Sequence, residues 1–168
     1  DTLIGFENVA GTRFADSLTG DGQNNYLRGY RGNDIYDGAD GSDAVDFQED
    51  GFDPGGGIIQ GAYVDLSTGM ATDGWGDTDT LISIENVQGS HLGDTVFGSA
   101  GGNQVYAGEG ADIVDGGGVN DGTYDLLDGE SGADTLTLRN NGVMRGGEGD
   151  DRLSGVHVDF EEDYINIT

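Results

Sequence analysis

The sequence contains no cysteine, no lysine and only one proline among its 168 residues. Without cysteine there are neither disulfide bonds nor a thiolate zinc site, so any cross-linking must come from oxygen ligands or from packing. The single proline and the missing Gly-X-Y period exclude collagen. Long apolar runs are absent too, and no stretch approaches the ~20 residues that a membrane-spanning helix needs. We therefore expect no membrane insertion.

Positive charge is also scarce, because six arginines stand against 33 acidic residues and the formal net charge is -27. Such a chain repels DNA, RNA and anionic membranes, and no basic cluster overrides that repulsion locally. This excludes nucleic-acid binding. Hydrophobic residues make up only 34% of the chain, close to the composition at which a highly charged chain stays disordered. Alone, the chain should fold poorly, and its oxygen-rich side chains favour hard cations as partners.

Glycine, in contrast, is abundant, with 34 copies, and it recurs in a nine-residue unit. The unit is most complete at 146–154, GGEGDDRLS, with a glycine-rich turn, an acidic sixth residue and an aliphatic eighth residue. The eighth residues read Val9, Leu18, Leu27, Tyr36, Val45, Val87, Val96, Val105, Val114, Leu136 and Leu153. Each unit predicts a six-residue turn and a strand of about three residues, which is stable only when copies stack.

A longer repeat contains the short one, because DTLIGFENVAG at 1–11 matches DTLISIENVQG at 79–89. This duplication predicts a first repeat region over 1–46, a second over 79–137, and a last turn with a C-terminal cap over 138–168, all in one continuous domain. The period breaks over 47–78. There, Ala62–Leu66 and Met70–Thr72 predict a hairpin that covers the open end of the first region.

The nine-residue unit resembles the repeats-in-toxin, or haemolysin-type, calcium-binding nonapeptide, whose consensus is G-G-x-G-x-D-x-U-x. The resemblance implies an all-β fold, a right-handed parallel β-roll in which two units form one 18-residue coil and several Ca²⁺ ions lie between stacked turns. It also implies a secreted bacterial protein that leaves the cell by type I secretion and folds on calcium outside it. We expect the chain to be part of a longer protein, where it stabilises or spaces neighbouring domains.

An 18-residue coil predicts that oxygen-bearing side chains recur at that interval along each edge. Ca²⁺ between successive turns would remove their repulsion and would add carbonyl oxygens of the turns as further ligands. In the first copy, the predicted ligands on one edge are Glu7, Asn25 and Asp43, and those on the other edge are Asp16 and Asp34. In the second copy, the corresponding ligands are Glu85 and Asn103 on the first edge and Asp94 and Asp112 on the other. Asp134 and Asp151 are the last predicted ligands. Four extra residues between Gly116 and Asp128 leave either Asp121 or Asp125 as the next ligand. Weaker sites are expected where Thr12–Phe14 and Ser90–Leu92 replace turn glycines.

The sequence is compatible with two other functions. Phe52, Tyr63 and Trp75 could form a platform for a sugar ring, which would make the chain a carbohydrate-binding module of a polysaccharide-active enzyme. Arg13 and Arg31 occupy equivalent places and either neutralise nearby carboxylates or bind an anionic polysaccharide such as alginate. The second alternative is a spacer or adhesin segment of a large surface protein.

Catalysis has little support in the sequence. The two histidines, His91 and His157, are isolated, and no HExxH, Gly-x-Ser-x-Gly or P-loop motif occurs. Carboxylate pairs are abundant, but they are better explained as metal ligands than as a glycosidase pair. We expect a non-catalytic module.

Overall fold

The computed structural model describes residues 6–48, 60–118 and 123–155, and they form an all-β structure. This part of the chain contains no helix, so none that could cross a membrane. The strands are β1 Asn8–Ala10, β2 Ser17–Thr19, β3 Tyr26–Arg28, β4 Ile35–Asp37, β5 Ala44–Asp46, β6 Tyr63–Asp65, β7 Met70–Thr72, β8 Thr78–Ile82, β9 Asn86–Gln88, β10 Thr95–Phe97, β11 Gln104–Tyr106, β12 Glu109–Gly110, β13 Ile113–Asp115, β14 Tyr124–Asp128, β15 Ser131–Gly132, β16 Thr135–Leu138, β17 Asn141–Arg145 and β18 Arg152–Gly155.

Two sheets form the walls of a solenoid, which confirms the predicted parallel roll. Sheet A has the strand order β1-β3-β5-β9-β11-β14-β17, and sheet B has the order β18-β16-β13-β10-β6-β7-β8-β4-β2. Successive strands of the repeats alternate between the sheets, so each coil places one strand in each. Val9 pairs with Leu27 in sheet A, and Leu18 pairs with Tyr36 in sheet B. Both pairs are 18 residues apart, as the nonapeptide resemblance implies.

The core lies between the two sheets and receives one inward side chain from each short strand. Leu27, Val45, Val64, Val96 and Val105 are fully buried. Val9 and Leu153, which belong to outer strands, are partly buried and pack against this column. The predicted eighth residues therefore form the core, because the residue at the middle of a three-residue strand faces one side of the sheet while its neighbours face the other.

The insertion continues sheet B instead of covering an open end of the first repeat region. β6 and β7 form the predicted antiparallel hairpin, and β7 pairs in the same way with β8. β8 then pairs in parallel with β4 of the first region, and β6 pairs in parallel with β10 of the second. An open edge strand presents unpaired N–H and C=O groups, and the insertion satisfies both edges at once. The predicted boundary at residue 78 therefore falls inside β8.

Some sequence predictions fall outside the described residues. They are Phe52, Asp121 and the part of the predicted cap that follows Gly155. Within the described part of 138–168, β17 extends sheet A and β18 extends sheet B.

Candidate metal centre

A ladder of aspartates runs along the edge where the chain enters sheet B. In the first region, the Asp16 N–H donates to Asp34 Oδ1 and the Asp34 N–H donates to Asp79 Oδ1, both at 2.8 Å. In the second region the same bond joins Asp94 to Asp112, Asp112 to Asp134 and Asp134 to Asp151, at 2.7–2.9 Å. The structure therefore brings together the four residues predicted for this edge and places Asp134 and Asp151, which the sequence assigned to no edge, in the same ladder. It also adds Asp79.

A second ladder follows the entry into sheet A. The Asn25 N–H donates to Asp43 Oδ1 at 2.7 Å, and the Asp43 N–H donates to Glu85 Oε2 at 2.9 Å. The Asn103 N–H donates to Asp125 Oδ1 at 2.9 Å, which makes Asp125 the ladder residue after the four-residue insertion. At the start of this edge, Glu7 accepts the Tyr26 N–H through its backbone carbonyl, and its side chain is exposed.

Five ladder aspartates have one carboxylate oxygen with no hydrogen-bond partner, although that oxygen is buried. The five residues are Asp34, Asp43, Asp79, Asp112 and Asp134. In each, Oδ1 accepts the backbone N–H of the preceding turn and Oδ2 has no donor. A buried carboxylate oxygen without a partner carries the full cost of lost hydration. A cation would remove that cost.

The first glycine of each unit leaves room beside the unpaired oxygen. A Cβ on Gly38 would lie 2.5 Å from Asp43 Oδ2, and a Cβ on Gly129 would come as close to Asp134 Oδ2. Real Cβ atoms do not approach oxygen so closely, so these positions admit only glycine without rearrangement. The resulting cradle brings carboxylate oxygen and turn backbone close together.

Burial raises the pKa of the ladder carboxyls above the ordinary value of 3.8. The pKa of Asp112 rises to about 7, with Asp94 and Asp134 adding repulsion, and that of Asp79 rises to about 8. The pKa values of Asp34 and Asp134 rise to about 6. Backbone N–H donors lower each value, but desolvation outweighs them. In the metal-free protein, keeping the ladder carboxylates ionised therefore costs considerable free energy.

In turns that lack the usual glycines, another residue of the turn donates hydrogen bonds to the carboxylate of the aspartate that follows. Asp16 Oδ2 accepts the Thr12 N–H at 2.6 Å and the Thr12 hydroxyl at 2.9 Å. Asp94 Oδ2 accepts the Ser90 N–H at 2.6 Å, and its Oδ1 accepts the Ser90 hydroxyl at 2.8 Å. Neither residue has an unpaired buried oxygen. In these two turns, where the sequence predicts weaker sites, the carboxylates already have hydrogen-bond donors.

The donor set suits calcium. Among the described residues, no three His, Cys, Asp or Glu side chains gather at one point. The carboxylates are instead spread along the two ladders, so an ion between turns must take most of its ligands from backbone carbonyls. Six to eight oxygen ligands in flexible geometry are typical of Ca²⁺, whereas Mg²⁺ requires a strict octahedron. The ladder residues therefore fit Ca²⁺ bound between turns.

Within the described part of the chain, three ion pairs lie away from the ladders, near strand ends. Arg28 pairs with Asp46, Arg139 with Asp115 at 2.5 Å and Arg145 with Asp128 at 3.5 Å. Of the two arginines at equivalent places in the repeat, Arg13 is exposed, and Arg31 lies over the Trp75 ring, 5.3 Å from its centre. Tyr63 lies elsewhere, in β6, and its ring packs against Phe97 with centroids 5.9 Å apart.

Comparison with known protein families identifies the type of the repeats. The RTX calcium-binding nonapeptide repeat matches in four copies, over 10–45, 92–122, 124–141 and 137–155, which together cover more than half of the chain. The chain belongs to this family. The RTX repeat forms a structural calcium-binding module, and the parallel β-roll described above is its fold. No curated protein matches the chain.

The RTX matches leave out 46–91, which contain the insertion and β8. Asp79, which continues the sheet B ladder, lies in this gap and was not among the predicted ligands. Its sequence signal is nevertheless present, because Asp79 precedes Leu81 as the sixth residue of a unit precedes the eighth. The 18-residue interval does not predict Asp79 as a ligand, because Asp79 follows Asp34 by 45 residues.

Proposed function

We propose that this chain is a non-catalytic module that folds when Ca²⁺ binds between its stacked turns. The observation that carries the proposal is the set of five buried ladder aspartates, each with one unpaired carboxylate oxygen. They are Asp34, Asp43, Asp79, Asp112 and Asp134. The two edges are completed by Asp125, Asp16, Asp94, Asn25, Asn103, Glu7, Glu85 and Asp151, of which all but Asp125 are proposed as weaker or carbonyl-assisted positions.

The energy of binding is sufficient to control folding. Extracellular calcium modules bind with Kd values of ~10⁻⁴ to 10⁻³ M. At ten times Kd, each site that exists only in the folded state adds about 1.4 kcal/mol, so six sites add roughly 8 kcal/mol. A typical domain has a total stability of ~5 to 15 kcal/mol. Calcium can therefore decide whether this glycine-rich, poorly hydrophobic chain is folded.

We also propose where this folding takes place. RTX repeats occur in secreted bacterial proteins, and the extracellular medium supplies the millimolar calcium that such sites need. With a net charge of -27, the chain would stay unfolded where calcium is scarce, which suits export through a narrow channel. Outside the cell, the folded roll would stabilise or space the neighbouring parts of a longer protein.

Calorimetric titration of Ca²⁺ into chelator-treated protein tests the assignment of the ladder. Asp112→Asn keeps an oxygen for the Asp94 N–H but removes the charge, and we expect at least one site to weaken by roughly 10- to 100-fold. The matched control is Asp65→Asn at the end of β6, whose Oδ1 accepts the Ser67 and Thr68 N–H groups, and its titration should equal that of the wild type. Equal titrations for both variants would contradict the ladder assignment.

The carbohydrate-binding alternative has a separate test. Tyr63 lies in β6 and Trp75 in the turn before β8, and Trp75 is covered by Arg31. A glycan array on which Tyr63→Ala and Trp75→Ala each abolish binding would support that alternative. We expect no such loss, because the two rings lie in different elements and Trp75 already has a stacking partner.

A further inference from the structure

The turn between β7 and β8, residues 73–77, contains a second kind of acidic site that lies outside the RTX matches. Asp73 opens the turn, and its Oδ1 accepts the Trp75 N–H at 2.9 Å and the Asp77 N–H at 2.7 Å. Its Oδ2 is buried and has no partner. The residue is 0% exposed. Asp73 belongs to neither ladder, so the nonapeptide pattern does not account for this oxygen.

Asp79 follows the same turn with an equivalent group. Its Oδ1 accepts the Asp34 N–H, its Oδ2 is buried without a partner, and the residue is 0% exposed. Among neighbouring charges, Asp73 repels the Asp79 carboxylate most, followed by Asp34 and Asp77. Two unpaired buried carboxylate oxygens therefore belong to the two ends of one short turn.

The turn is fixed against the first repeat region on its other side. Asp77 Oδ2 accepts the Gly32 N–H at 3.0 Å, and the Thr78 N–H donates to Asn33 Oδ1 at 2.9 Å. These bonds hold the turn against residues 32–34, so Asp34, whose own Oδ2 is unpaired, adjoins the same place. Leaving the buried Asp73 and Asp79 carboxylates without a counter-charge is strongly unfavourable.

We infer that Asp73 and Asp79 bind a divalent cation in the β7–β8 turn, with Asp34 and Asp77 adding negative charge beside it. Oxygen is the only donor offered, and backbone carbonyls must complete the shell, which favours Ca²⁺. The ion would fix the insertion at the point where β8 pairs with β4 and thereby hold the two repeat regions in one sheet. The site goes beyond the ladder function, because Asp73 comes from the insertion and from no nonapeptide.

Trp75 makes this turn observable separately from the ladder positions of the second repeat region. It is the only tryptophan of the chain, and it lies two residues from Asp73 within the turn. Terbium(III), an oxygen-seeking ion of calcium's size, emits strongly when a nearby indole transfers excitation to it. Excitation selective for tryptophan should therefore produce terbium emission in the wild-type protein, and Ca²⁺ should displace it.

Asp73→Asn is the decisive variant. It keeps an oxygen for the Trp75 and Asp77 N–H donors and removes the charge, so terbium affinity measured through Trp75 should fall by at least roughly tenfold. The matched control is Asp65→Asn in the β6–β7 turn, where Oδ1 accepts the Ser67 and Thr68 N–H groups in the same way. Asp65 has no unpaired buried oxygen, so this control should keep wild-type emission.

The outcomes separate this site from the ladder sites. Calcium-dependent folding with no tryptophan-sensitised emission in the wild type would overturn the inference and leave the proposed function intact, and this result needs no variant to fold. Equal affinities in Asp73→Asn and wild type would overturn it too. Asp112→Asn should lower calcium capacity without changing the Trp75 signal, and a parallel loss of that signal would show that the emission comes from the ladders.

Discussion

Calcium removal at about pH 8 is expected to unfold the protein, and acidification to about pH 5 without calcium is expected to restore part of its β-structure. Both effects have the same origin in the buried ladder carboxylates. Burial raises the pKa of Asp112 to about 7 and that of Asp79 to about 8, from the ordinary 3.8. The folded metal-free chain therefore binds more protons than the unfolded chain between the ordinary and the raised pKa values.

The direction of the pH effect follows from that proton difference. Metal-free stability is greatest below the unfolded pKa of 3.8 and is lost as the pH rises through the folded values of about 6 to 8. For Asp112 alone, a shift from 3.8 to about 7 corresponds to about 4 kcal/mol. Calcium-loaded protein should respond in the opposite direction, because protons compete with Ca²⁺ for the same oxygens.

Far-UV circular dichroism from about pH 8 to pH 5, with chelator and with millimolar calcium, measures both curves. Asp112→Asn supplies an internal check, because the amide resembles a protonated carboxyl. The variant should be more stable than the wild type in chelator at the higher pH and less stable in calcium. A chain that is equally β-rich in chelator throughout would contradict the calcium-dependent fold.

The sequence predicts the coil and its core well, because both depend on local spacing. A single aliphatic residue per nonapeptide has one possible inward position in a three-residue strand, and Leu27 and Val105 occupy it as expected. The acidic sixth residue lies at the entrance of that strand in every coil. Its place in a ladder follows directly once coils of 18 residues are stacked.

The joining of the two repeat regions could not be predicted in the same way. It depends on pairing between β8 and β4 and between β6 and β10, which are contacts across an interrupted period. Local spacing carries no information about which open edge a hairpin will fill. For the same reason Asp79 and Asp73 were not recognised, although Asp79 precedes Leu81 in the usual manner.

The chemical state of each ladder residue also required the structure. Asp94 and Asp112 occupy equivalent places in the repeat, yet Ser90 donates to Asp94 whereas Asp112 Oδ2 has no donor. The difference depends on the conformation of the preceding turn. Similarly, the spacing left Asp121 and Asp125 as alternatives, and the bond from the Asn103 N–H identifies Asp125 as the ladder residue.

The second large effect is expected from Gly110→Ala at the end of β12, just before β13. Gly110 has a φ of +129°, and a Cβ there would lie 2.5 Å from the Gly93 nitrogen and from the Leu92 carbonyl carbon. An L-residue at this φ costs about 1–3 kcal/mol, and the clash with backbone adds about 1–3 kcal/mol because neighbouring coils cannot separate. The expected loss of about 2–6 kcal/mol is a large part of a domain's stability.

Urea unfolding at saturating calcium measures this loss, and the calcium midpoint for folding should shift to higher concentration in the variant. Gly22→Ala is the control, because a Cβ on Gly22 meets no atom within 4 Å. It should be neutral or stabilising by about 0.4–1 kcal/mol, since alanine reduces the entropy of the unfolded chain. Because Gly110 contacts the preceding turn and Gly22 does not, similar losses in both variants would mean that the turns are not stacked as closely as the ladder requires.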